Sequence, residues 1–371
     1  MIKAVNVISD TNIGGAGKCV LTFLKYYSKD KIDLTIVIPK NSLLKPEIEK
    51  LGGKLIEIDG LADKSLDLSC IGKLAKLFRH LKPDIIHCHA AMSARIAARL
   101  YGGGKIIYTR HSVFEPSPAI SKGIGKMING FVNNITADRI IAVADAAKDN
   151  LVKTGVNPRK ITVIQNGVEP LNSMTDAEKE QVRSEYGLKR DDFVLGIAAR
   201  LNEVKGHIYI LEALKRLVDD GINAKLIIAG TGDYESEIRR KIQKLGIGNS
   251  VIMAGFIQDV TGFMNILDVS VNASFGTEAT SLALLEGMSL GIPAVVSDFG
   301  GNPGVIDDGV NGYIFPVKNS EIMYEKLKLL TDKENAEKIK ENCKRIFDER
   351  FRAEIMTHKT EKLYFELAEK E

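Results

Sequence analysis

The sequence predicts an α/β protein made of two doubly wound domains in tandem. Short, continuous runs of Val, Ile and Leu alternate with helical patterns, and this alternation restarts after the polar stretch Val168–Gln181. The length of 371 residues is enough for two domains of ordinary size. Strands of a parallel sheet are buried on both faces, so they read as continuous apolar runs with crossover helices between them.

In the first domain, each predicted strand leads into a loop or a helical segment. Helices are expected around 20–27, 43–52, 71–81 and 90–102. The strands are expected at AVNVIS (4–9), IDLTIVI (32–38), KLIEI (54–58), DIIHCH (84–89), KIIYTRH (105–111), RIIAVA (139–144) and ITVIQNG (161–167).

The second domain repeats the pattern. A helix over 207–221 ends at a glycine, and a charged helical segment runs from about Glu334 to Lys370. We place the domains at 1–170 and 171–350, with 351–371 as a C-terminal helix. Strands are expected at FVLGIAARL (193–201), AKLIIAGTG (224–232), SVIMAGF (250–256), VSVNAS (269–274) and PAVVSD (293–298).

Composition narrows the class of protein. Apolar residues make up 44% of the chain, but no apolar run approaches the roughly 20 residues of a membrane-spanning helix. The N-terminus reads as a first strand and lacks the long apolar region of a signal peptide. The four cysteines form no Cys-x-x-Cys pair, which argues against a disulfide framework or a zinc site. These features predict a reduced, cytoplasmic protein.

The net charge of +3 conceals an asymmetry between the halves. Residues 1–170 contain 25 Lys and Arg against 15 Asp and Glu, a net charge of +10, and the remainder carries −7. A basic half favours an anionic partner, such as phospholipid head groups, nucleic acid or an acidic acceptor. A solvated surface with a chance imbalance is the alternative.

The glycine loop NIGGAGKCV follows the first predicted strand and raises the question of a phosphate-binding P-loop. A P-loop needs glycine where Asn12 stands and a hydroxyl where Cys19 stands, so the motif fails at two fixed positions. What remains is exposed backbone at a strand-to-helix turn, contributed by Gly14, Gly15 and Gly17. The glycines either admit a ligand at the binding edge of the sheet or serve a tight turn with positive φ.

A pair of glutamates marks the second domain. Glu278 and Glu286 are eight positions apart, which separates side chains by about 80° on a regular helix. If the helix starts near Thr280, the amides of Thr280, Ser281 and Leu282 are donors suited to a diphosphate. Otherwise Glu278 is a helix-capping acid and Glu286 a paired structural carboxylate.

With these motifs the chain resembles a known family, the retaining glycosyltransferases of GT-B fold and family-four type. The resemblance implies two Rossmann-like domains facing a central cleft, with the C-terminal helix packed back on the first domain. It runs through nearly the whole chain, in the order NIGGAGK, DIIHCHAAMSA, YTRHSVF, VIQNGVE, AARLNEVKG, IIAGTGDYE, AGFIQDV and the segment from Ser274 to Ile306.

The resemblance also assigns roles to residues. Arg200 and Lys205 correspond to the pair that grips the donor diphosphate, where fixed cations stabilise the leaving group. Glu286 corresponds to the carboxylate that binds the ribose, and Glu278 and His111 to groups near the transferred sugar. The other donor-side positions are Gly14, Gly15 and Ala16 in the glycine loop, Gly230, Gly232, Phe256 and Ile257 around the base, and the amides of Thr280, Ser281 and Leu282.

The implied activity is transfer of a sugar, with retention, from a nucleotide-diphosphate donor that we expect to be UDP-linked. The acceptor is expected to be a hydroxyl of a glycan or a lipid-linked molecule in cell-surface polysaccharide or glycoconjugate synthesis. No metal, cofactor or nucleic acid is expected. A nucleotide-sugar epimerase of the same fold and a non-catalytic glycan-binding module are the alternatives.

Two further features stay open at this level. His87 and His89 fall on one face of a strand, where a core role is favoured over a metal site because no third ligand is evident. The segment SKGIGKMINGFVNNI (121–135) mixes lysines with apolar residues. It is either a helix that touches an anionic membrane surface or one that faces the core.

Overall fold

The computed structural model describes residues 1–62 and 66–369. The chain forms two compact units. Unit 1 is Met1–Gly167 together with Ala353–Glu371, and unit 2 is Val168–Arg352. The chain therefore leaves unit 1 after its seventh strand and returns to it with its last helix. The final two residues of the expected C-terminal segment 351–371 lie outside the described residues.

Unit 1 contains a seven-stranded sheet in the order β3-β2-β1-β4-β5-β6-β7, in which every pairing is parallel. The order reverses beside β1, as in a doubly wound sheet. The strands are β1 (Ile2–Ile8), β2 (Ile32–Pro39), β3 (Lys54–Ile58), β4 (Ile85–His89), β5 (Lys105–Arg110), β6 (Arg139–Ala142) and β7 (Ile161–Val163).

The helices of unit 1 connect these strands. They are α1 (Gly15–Tyr26), α2 (Leu44–Lys50), α3 (Leu68–Leu81), α4 (Met92–Tyr101), α5 (Pro118–Ser121), α6 (Gly123–Thr136), α7 (Asp145–Lys153) and, after unit 2, α16 (Ala353–Ala368). The helix expected over 20–27 begins earlier, at Gly15, because Gly14 is extended and the helix starts directly after it.

The last helix is part of the unit 1 core. Tyr364 is fully buried against Phe23 of α1, with ring centroids 5.5 Å apart, and Leu363 and Leu367 join the same apolar cluster. The charged segment expected over 334–370 is two helices rather than one. The chain breaks at Phe351, which is buried in unit 2, before α16 starts in unit 1.

Unit 2 contains a six-stranded parallel sheet in the order β10-β9-β8-β11-β12-β13. Its strands are β8 (Phe193–Ala198), β9 (Ala224–Ala229), β10 (Val251–Gly255), β11 (Val269–Asn272), β12 (Ala294–Ser297) and β13 (Gly312–Phe315). Its helices are α8 (Asp176–Glu185), α9 (His207–Asp219), α10 (Glu235–Leu245), α11 (Thr261–Asn265), α12 (Leu282–Ser289), α13 (Asn302–Val305), α14 (Ser320–Leu329) and α15 (Lys333–Arg350).

Local sequence explains where several of these elements begin. The polar stretch after residue 168 ends in α8, because Thr175 and Glu178 form a reciprocal capping box that satisfies amides of the first turn. Glycine ends α10, since Gly246 takes the left-handed conformation that other residues disfavour. The two sheets confirm the predicted fold class of two Rossmann-like α/β domains.

Candidate active site

The predicted donor residues of unit 2 gather at one edge of its sheet. Because the six strands are parallel, the loops after their carboxyl ends meet at the same edge, where ligands bind in open α/β sheets. Arg200 follows β8, Phe256 follows β10, and Glu278 lies in the loop after β11. Gly230 and Gly232 follow β9 at this same edge.

A buried ion pair forms the centre of this edge. Lys205 Nζ donates to Glu278 Oε2 at 2.8 Å and to the Thr277 carbonyl at 3.1 Å. The same carboxylate oxygen also accepts from Asn272 Nδ2 at 2.9 Å and Ser274 Oγ at 3.1 Å. An ammonium has three hydrogens to donate. Lys205 therefore has one hydrogen left to donate beyond these two bonds. The three donors to its carboxylate hold Glu278 in one position.

Asn272 and Ser274 were not predicted as site residues. Both are buried polar side chains at the end of the apolar run VSVNAS, in β11 and the residues directly after it. Polar residues that close a buried strand need partners, and here the partner is Glu278. Two such residues at a carboxyl strand end are the signal that could have identified them.

The helix after Glu278 starts later than expected. It begins at Leu282 rather than near Thr280, and the Ser281 side chain caps it by accepting from the Leu284 amide at 3.4 Å. Glu278 therefore lies in a loop and only Glu286 lies on the helix, so the 80° helical separation does not apply to the pair. Glu286 is buried in α12, with 9% of its surface exposed.

Three of the four predicted base-binding residues, Gly230, Phe256 and Ile257, line a cavity of about 210 Å³ in unit 2, and Gly232 does not. Phe256 is 76% exposed, which is unusual for a large aromatic side chain. The cavity thus offers an aromatic surface and a guanidinium next to backbone at strand ends. Its lining comprises Ala198, Ala199, Arg200, Ala229, Gly230, Thr231, Phe256, Ile257 and Val260.

Close backbone contacts require glycine at positions 230 and 232. At Gly230, with φ of 143°, a Cβ would lie 1.9 Å from the Ala199 carbonyl oxygen. At Gly232, with φ of 158°, a Cβ would lie 2.2 Å from the Leu201 carbonyl oxygen. Both positions therefore exclude any side chain even without a ligand.

The glycine loop of unit 1 divides into two roles. A Cβ at Gly14 or Gly15 would meet nothing within 4 Å, whereas a Cβ at Gly17 would lie 2.9 Å from Leu44 Cδ2. None of the three has positive φ, so the tight-turn explanation is wrong for this loop. Gly17 admits α2 against α1, and Gly14 and Gly15 leave open space where α1 begins. The predicted site residue Ala16 is instead buried in the unit 1 core.

His111 follows β5 and belongs to a cluster of three histidines in unit 1. His111 Nε2 is 2.8 Å from His89 Nδ1, and these two rings stack with centroids 5.1 Å apart. The His87 ring is tilted against the His89 ring, with centroids 4.2 Å apart. Burial lowers the pKa of His111 to about 4 and, with a further contribution from His111, the pKa of His87 to about 3. Both rings are therefore neutral at pH 7. The Nδ1 atom of His111 is buried and has no hydrogen-bond partner among the described residues.

His87 is fixed by a chain of hydrogen bonds that sequence reasoning did not identify. Tyr364 donates its hydroxyl hydrogen to Asn6 Oδ1 at 2.9 Å, so the 2.7 Å contact with His87 Nδ1 has the imidazole as donor. His87 Nε2 then accepts from Thr109 Oγ1 at 2.6 Å. Both ring nitrogens are occupied, which gives His87 the core role favoured from the sequence.

The described residues lack two features, a metal-binding cluster and a membrane-spanning helix. No three His, Cys, Asp or Glu side chains within residues 1–62 and 66–369 come together so as to hold a metal ion. None of the helices in this part of the chain has the length and apolar character needed to cross a bilayer.

The chain matches two described glycosyltransferase families, one in each half. Residues 13–170 match the family described as Glycosyltransferase Family 4, and residues 178–346 match Glycosyl transferases group 1. The chain is 27% identical over 311 residues to the UDP-Gal:alpha-D-GlcNAc-diphosphoundecaprenol alpha-1,3-galactosyltransferase of Escherichia coli, covering 81% of this chain and 80% of that protein. It is 24% identical over 308 residues to the capsular polysaccharide biosynthesis glycosyltransferase CapM of Staphylococcus aureus, covering 80% of each.

A solved structure shares the whole fold. HepE of Anabaena, in complex with UDP, superimposes with a TM-score of 0.86 at 20% identity, covering 98% of this chain and 100% of that one. The two matched families and this fold define the class: the chain is a glycosyltransferase of GT-B fold. Within that class it belongs to the family-four type, with a Glycosyltransferase Family 4 region in unit 1 and a group 1 region in unit 2.

Proposed function

We propose that the protein transfers a sugar from a UDP-linked donor to an acceptor hydroxyl with retention of anomeric configuration. The observation that carries the proposal is the Lys205–Glu278 pair, which shares the carboxyl edge of the unit 2 sheet with the cavity lined by Arg200 and Phe256. The printed names of the galactosyltransferase and the HepE complex, which include UDP-Gal and UDP, support a UDP-linked donor.

The proposed donor site uses each part of this edge. The base lies in the cavity against Phe256 and Ile257, and Glu286 accepts hydrogen bonds from the ribose hydroxyls. The diphosphate takes the remaining Lys205 hydrogen, the Arg200 guanidinium and the amides of Thr280, Ser281 and Leu282 at the start of α12. Fixed cations of this kind stabilise the charge that develops on a departing diphosphate.

The chemistry requires only the two substrates. The bond between the anomeric carbon and the β-phosphate oxygen breaks through an oxocarbenium-like transition state, and its electron pair stays on the oxygen. The acceptor oxygen attacks from the same face that the diphosphate leaves, and its proton passes to the departing phosphate oxygen. The products are UDP and a glycoside with the donor's configuration. No metal enters this proposal, because Arg200 and Lys205 supply the positive charge.

Residues of unit 1 and the Glu278 loop complete the assignment. Glu278 is held by Lys205, Asn272 and Ser274 and is assigned to the sugar hydroxyls. His111 Nδ1, buried and without a partner among the described residues, is assigned a contact with the transferred sugar. Gly14 and Gly15 are assigned the donor contact that their open space allows. Ala16 is assigned a contact through its backbone only, because its side chain is buried.

The acceptor is proposed to be a glycan or lipid-linked hydroxyl in cell-surface polysaccharide or glycoconjugate synthesis, at the cytoplasmic face of a membrane. The net charge of +10 over residues 1–170 supports an anionic acceptor or surface. The capsular and undecaprenol-linked names of the two relatives support the same class of acceptor.

Labelled UDP-hexoses and candidate acceptors test the proposal, with the product anomer assigned by NMR spectroscopy. A product of retained configuration, formed equally in the presence of EDTA, is expected. An inverted product contradicts the retaining mechanism, and loss of activity in EDTA contradicts the metal-free assignment. An epimer formed from the donor alone would identify an epimerase instead. Failure to bind any nucleotide sugar would favour a glycan-binding module.

A further inference from the structure

A small cavity in unit 1 is lined by two buried residues that each leave a polar atom without a hydrogen-bond partner within residues 1–62 and 66–369. The atoms are His89 Nε2 and Asn166 Oδ1, and the two residues are only 2% and 5% exposed. The cavity has a volume of about 20 Å³, which is enough for one water molecule. A buried polar atom costs free energy unless it is hydrogen-bonded, so the two atoms indicate a small polar ligand in this cavity.

The lining of this cavity is rich in hydrogen-bond acceptors. Thr109 gives its hydroxyl hydrogen to His87 Nε2, and Thr360 gives its hydroxyl hydrogen to the Met356 carbonyl at 2.9 Å. The Thr109 oxygen can still accept, since a hydroxyl has two lone pairs. Asn166 Oδ1 is a further acceptor, because an amide oxygen has no hydrogen to donate. The cavity therefore favours a group that brings hydrogens to it.

A count of hydrogens decides the state of the His89 ring. A water that accepts from a hydrogen on His89 Nε2 can donate its own two hydrogens to Asn166 Oδ1 and Thr109 Oγ1. These are about three bonds, the usual number for a buried water. If His89 Nε2 held only a lone pair, the water would donate to it, and the hydroxyls of the lining would have no hydrogen left for the water oxygen. The first arrangement makes more bonds and favours a hydrogen on His89 Nε2.

The tautomer of His89 determines that of His111. Burial lowers the pKa of His111 to about 4, and burial with contributions from His87 and His111 lowers the pKa of His89 well below 6.5. Both rings are therefore neutral at pH 7, with one hydrogen and one lone pair each. With its hydrogen on Nε2, His89 only accepts at Nδ1, so His111 donates from Nε2 across their 2.8 Å contact. His111 Nδ1 is then left with a lone pair.

We propose that one buried water joins His89 Nε2 to Asn166 Oδ1, and that this chain keeps His111 Nδ1 as a hydrogen-bond acceptor for a substrate hydroxyl. His89 and Asn166 are positioning residues, because they act through His111. A hydroxyl of the transferred sugar donates its hydrogen to His111 Nδ1, which selects a hydroxyl over a deoxy position there. The inference rests on the proposed function for the identity of that hydroxyl, whereas the tautomers are properties of the free protein.

NMR spectroscopy of the full chain with ¹⁵N-labelled histidine tests the tautomers directly, at pH 7 and without ligand. Long-range ¹H–¹⁵N correlation spectra separate protonated from unprotonated ring nitrogens. We expect the hydrogen on Nε2 of both His89 and His111. The variants His89→Leu and His111→Asn assign the signals, because each removes one set. A hydrogen on Nδ1 of His111, or an average of both tautomers, would overturn the proposal in the wild-type protein itself.

Asn166→Leu tests the far end of the chain. Without the amide acceptor, the His111 hydrogen should redistribute to include Nδ1, and kcat/KM with a UDP-sugar should fall about fivefold, as for the loss of one hydrogen bond. Asn166→Asp keeps an oxygen acceptor and should retain the wild-type tautomers. Thr357→Val is the matched control, because it removes another buried oxygen that has no partner in the described part of the chain and does not line the cavity. An unchanged His111 tautomer in Asn166→Leu would overturn the role of Asn166.

A crystal structure of the free protein tests the water itself. One ordered water is expected about 3 Å from both His89 Nε2 and Asn166 Oδ1. A dry cavity, or a direct bond between the two side chains, would overturn the water link. The expected tautomers in a protein that transfers no sugar would contradict only the proposed function. Reversed tautomers in an active transferase would contradict only this inference.

Discussion

Lys205 and Glu278 form a buried ion pair, with Nζ 2.8 Å from Oε2 and only 15% and 9% of the two side chains exposed. Asn272 and Ser274 bind the same carboxylate oxygen. The lysine proposed to grip the donor diphosphate and the glutamate proposed to contact the sugar thus position each other. This coupling allows a structural role and a catalytic role to be separated by experiment.

Lys205→Ala should lower both stability and activity. Removing one partner of a buried pair leaves an uncompensated charge, and we expect a loss of about 3 kcal/mol in the free energy of unfolding. Loss of the proposed phosphate contact should lower kcat by about 10²–10³-fold. Urea unfolding and initial-rate kinetics with a UDP-sugar measure the two effects.

The double variant Lys205→Ala/Glu278→Gln provides the control. The neutral amide keeps an acceptor for Asn272 and Ser274, so most of the stability should return. Activity should remain as low as in Lys205→Ala. Recovery of activity together with stability would show that Lys205 acts only as a structural partner.

The glycine loop should respond differently at its neighbouring positions. Gly15→Val adds a side chain in space that the protein leaves open, so stability should hold while kcat/KM for the donor falls about tenfold or more. Gly17→Val should instead destabilise the protein by about 1–3 kcal/mol, because its Cβ meets Leu44. Lys18→Ala should change neither quantity appreciably. Unchanged donor kinetics in Gly15→Val would remove the loop from the donor site.

Phe256→Ala should weaken UDP binding by about tenfold, which is within the range measured for stacking of a base on an aromatic ring. Because Phe256 is 76% exposed, its removal should cost little stability. Isothermal titration calorimetry with UDP measures the change. Phe131→Ala removes another exposed phenylalanine, 63% exposed on α6, and should bind UDP like the wild type.

Stability should fall as the pH is lowered from 7 to 5. Burial holds the pKa of His87 at about 3 and that of His207 at about 4, both below the ordinary value of 6.5. The unfolded chain therefore takes up protons near pH 6.5 while the folded chain does not, which favours unfolding below that pH. At pH 5 each of these two histidines should lower the free energy of unfolding by roughly 2 kcal/mol.

Calorimetry at pH 7 and pH 5 should show a lower Tm at the acidic pH. Proton NMR should show that the His87 imidazole does not titrate over the same interval. A His87 resonance with a midpoint near 6.5 would contradict the burial that assigns it to the core.

The sequence predicted which strands the two sheets contain better than it predicted where the strands and helices begin and end. Continuous apolar runs identify a strand wherever both faces are buried, and KLIEI matches β3 residue for residue. The strand β13 was missed because GYIF starts at a glycine and contains a single Ile with no Val or Leu beside it. The beginning of α12 was misplaced because Ser281, rather than a residue nearer Glu278, caps it.

The candidate site was predictable as a set of residues and not as a set of contacts. The order of the motifs predicted that Arg200, Lys205 and Glu278 lie near one another, because all three follow strand ends of one parallel sheet. The Lys205–Glu278 bond joins positions 73 apart and depends on loop conformation, which no local pattern encodes. Likewise, helical periodicity predicts that α6 is amphipathic, but only the packing of Gly130 on Gly155 decides which face is exposed.

The return of α16 to unit 1 has a consequence for how the protein is made. Tyr364 bonds Asn6 across 358 positions, so the core around β1 stays incomplete until the ribosome has released the final helix. Unit 2, contained within Val168–Arg352, is synthesised in full before that moment. During translation unit 2 can therefore complete its core before α16 covers the apolar surface that it buries in unit 1.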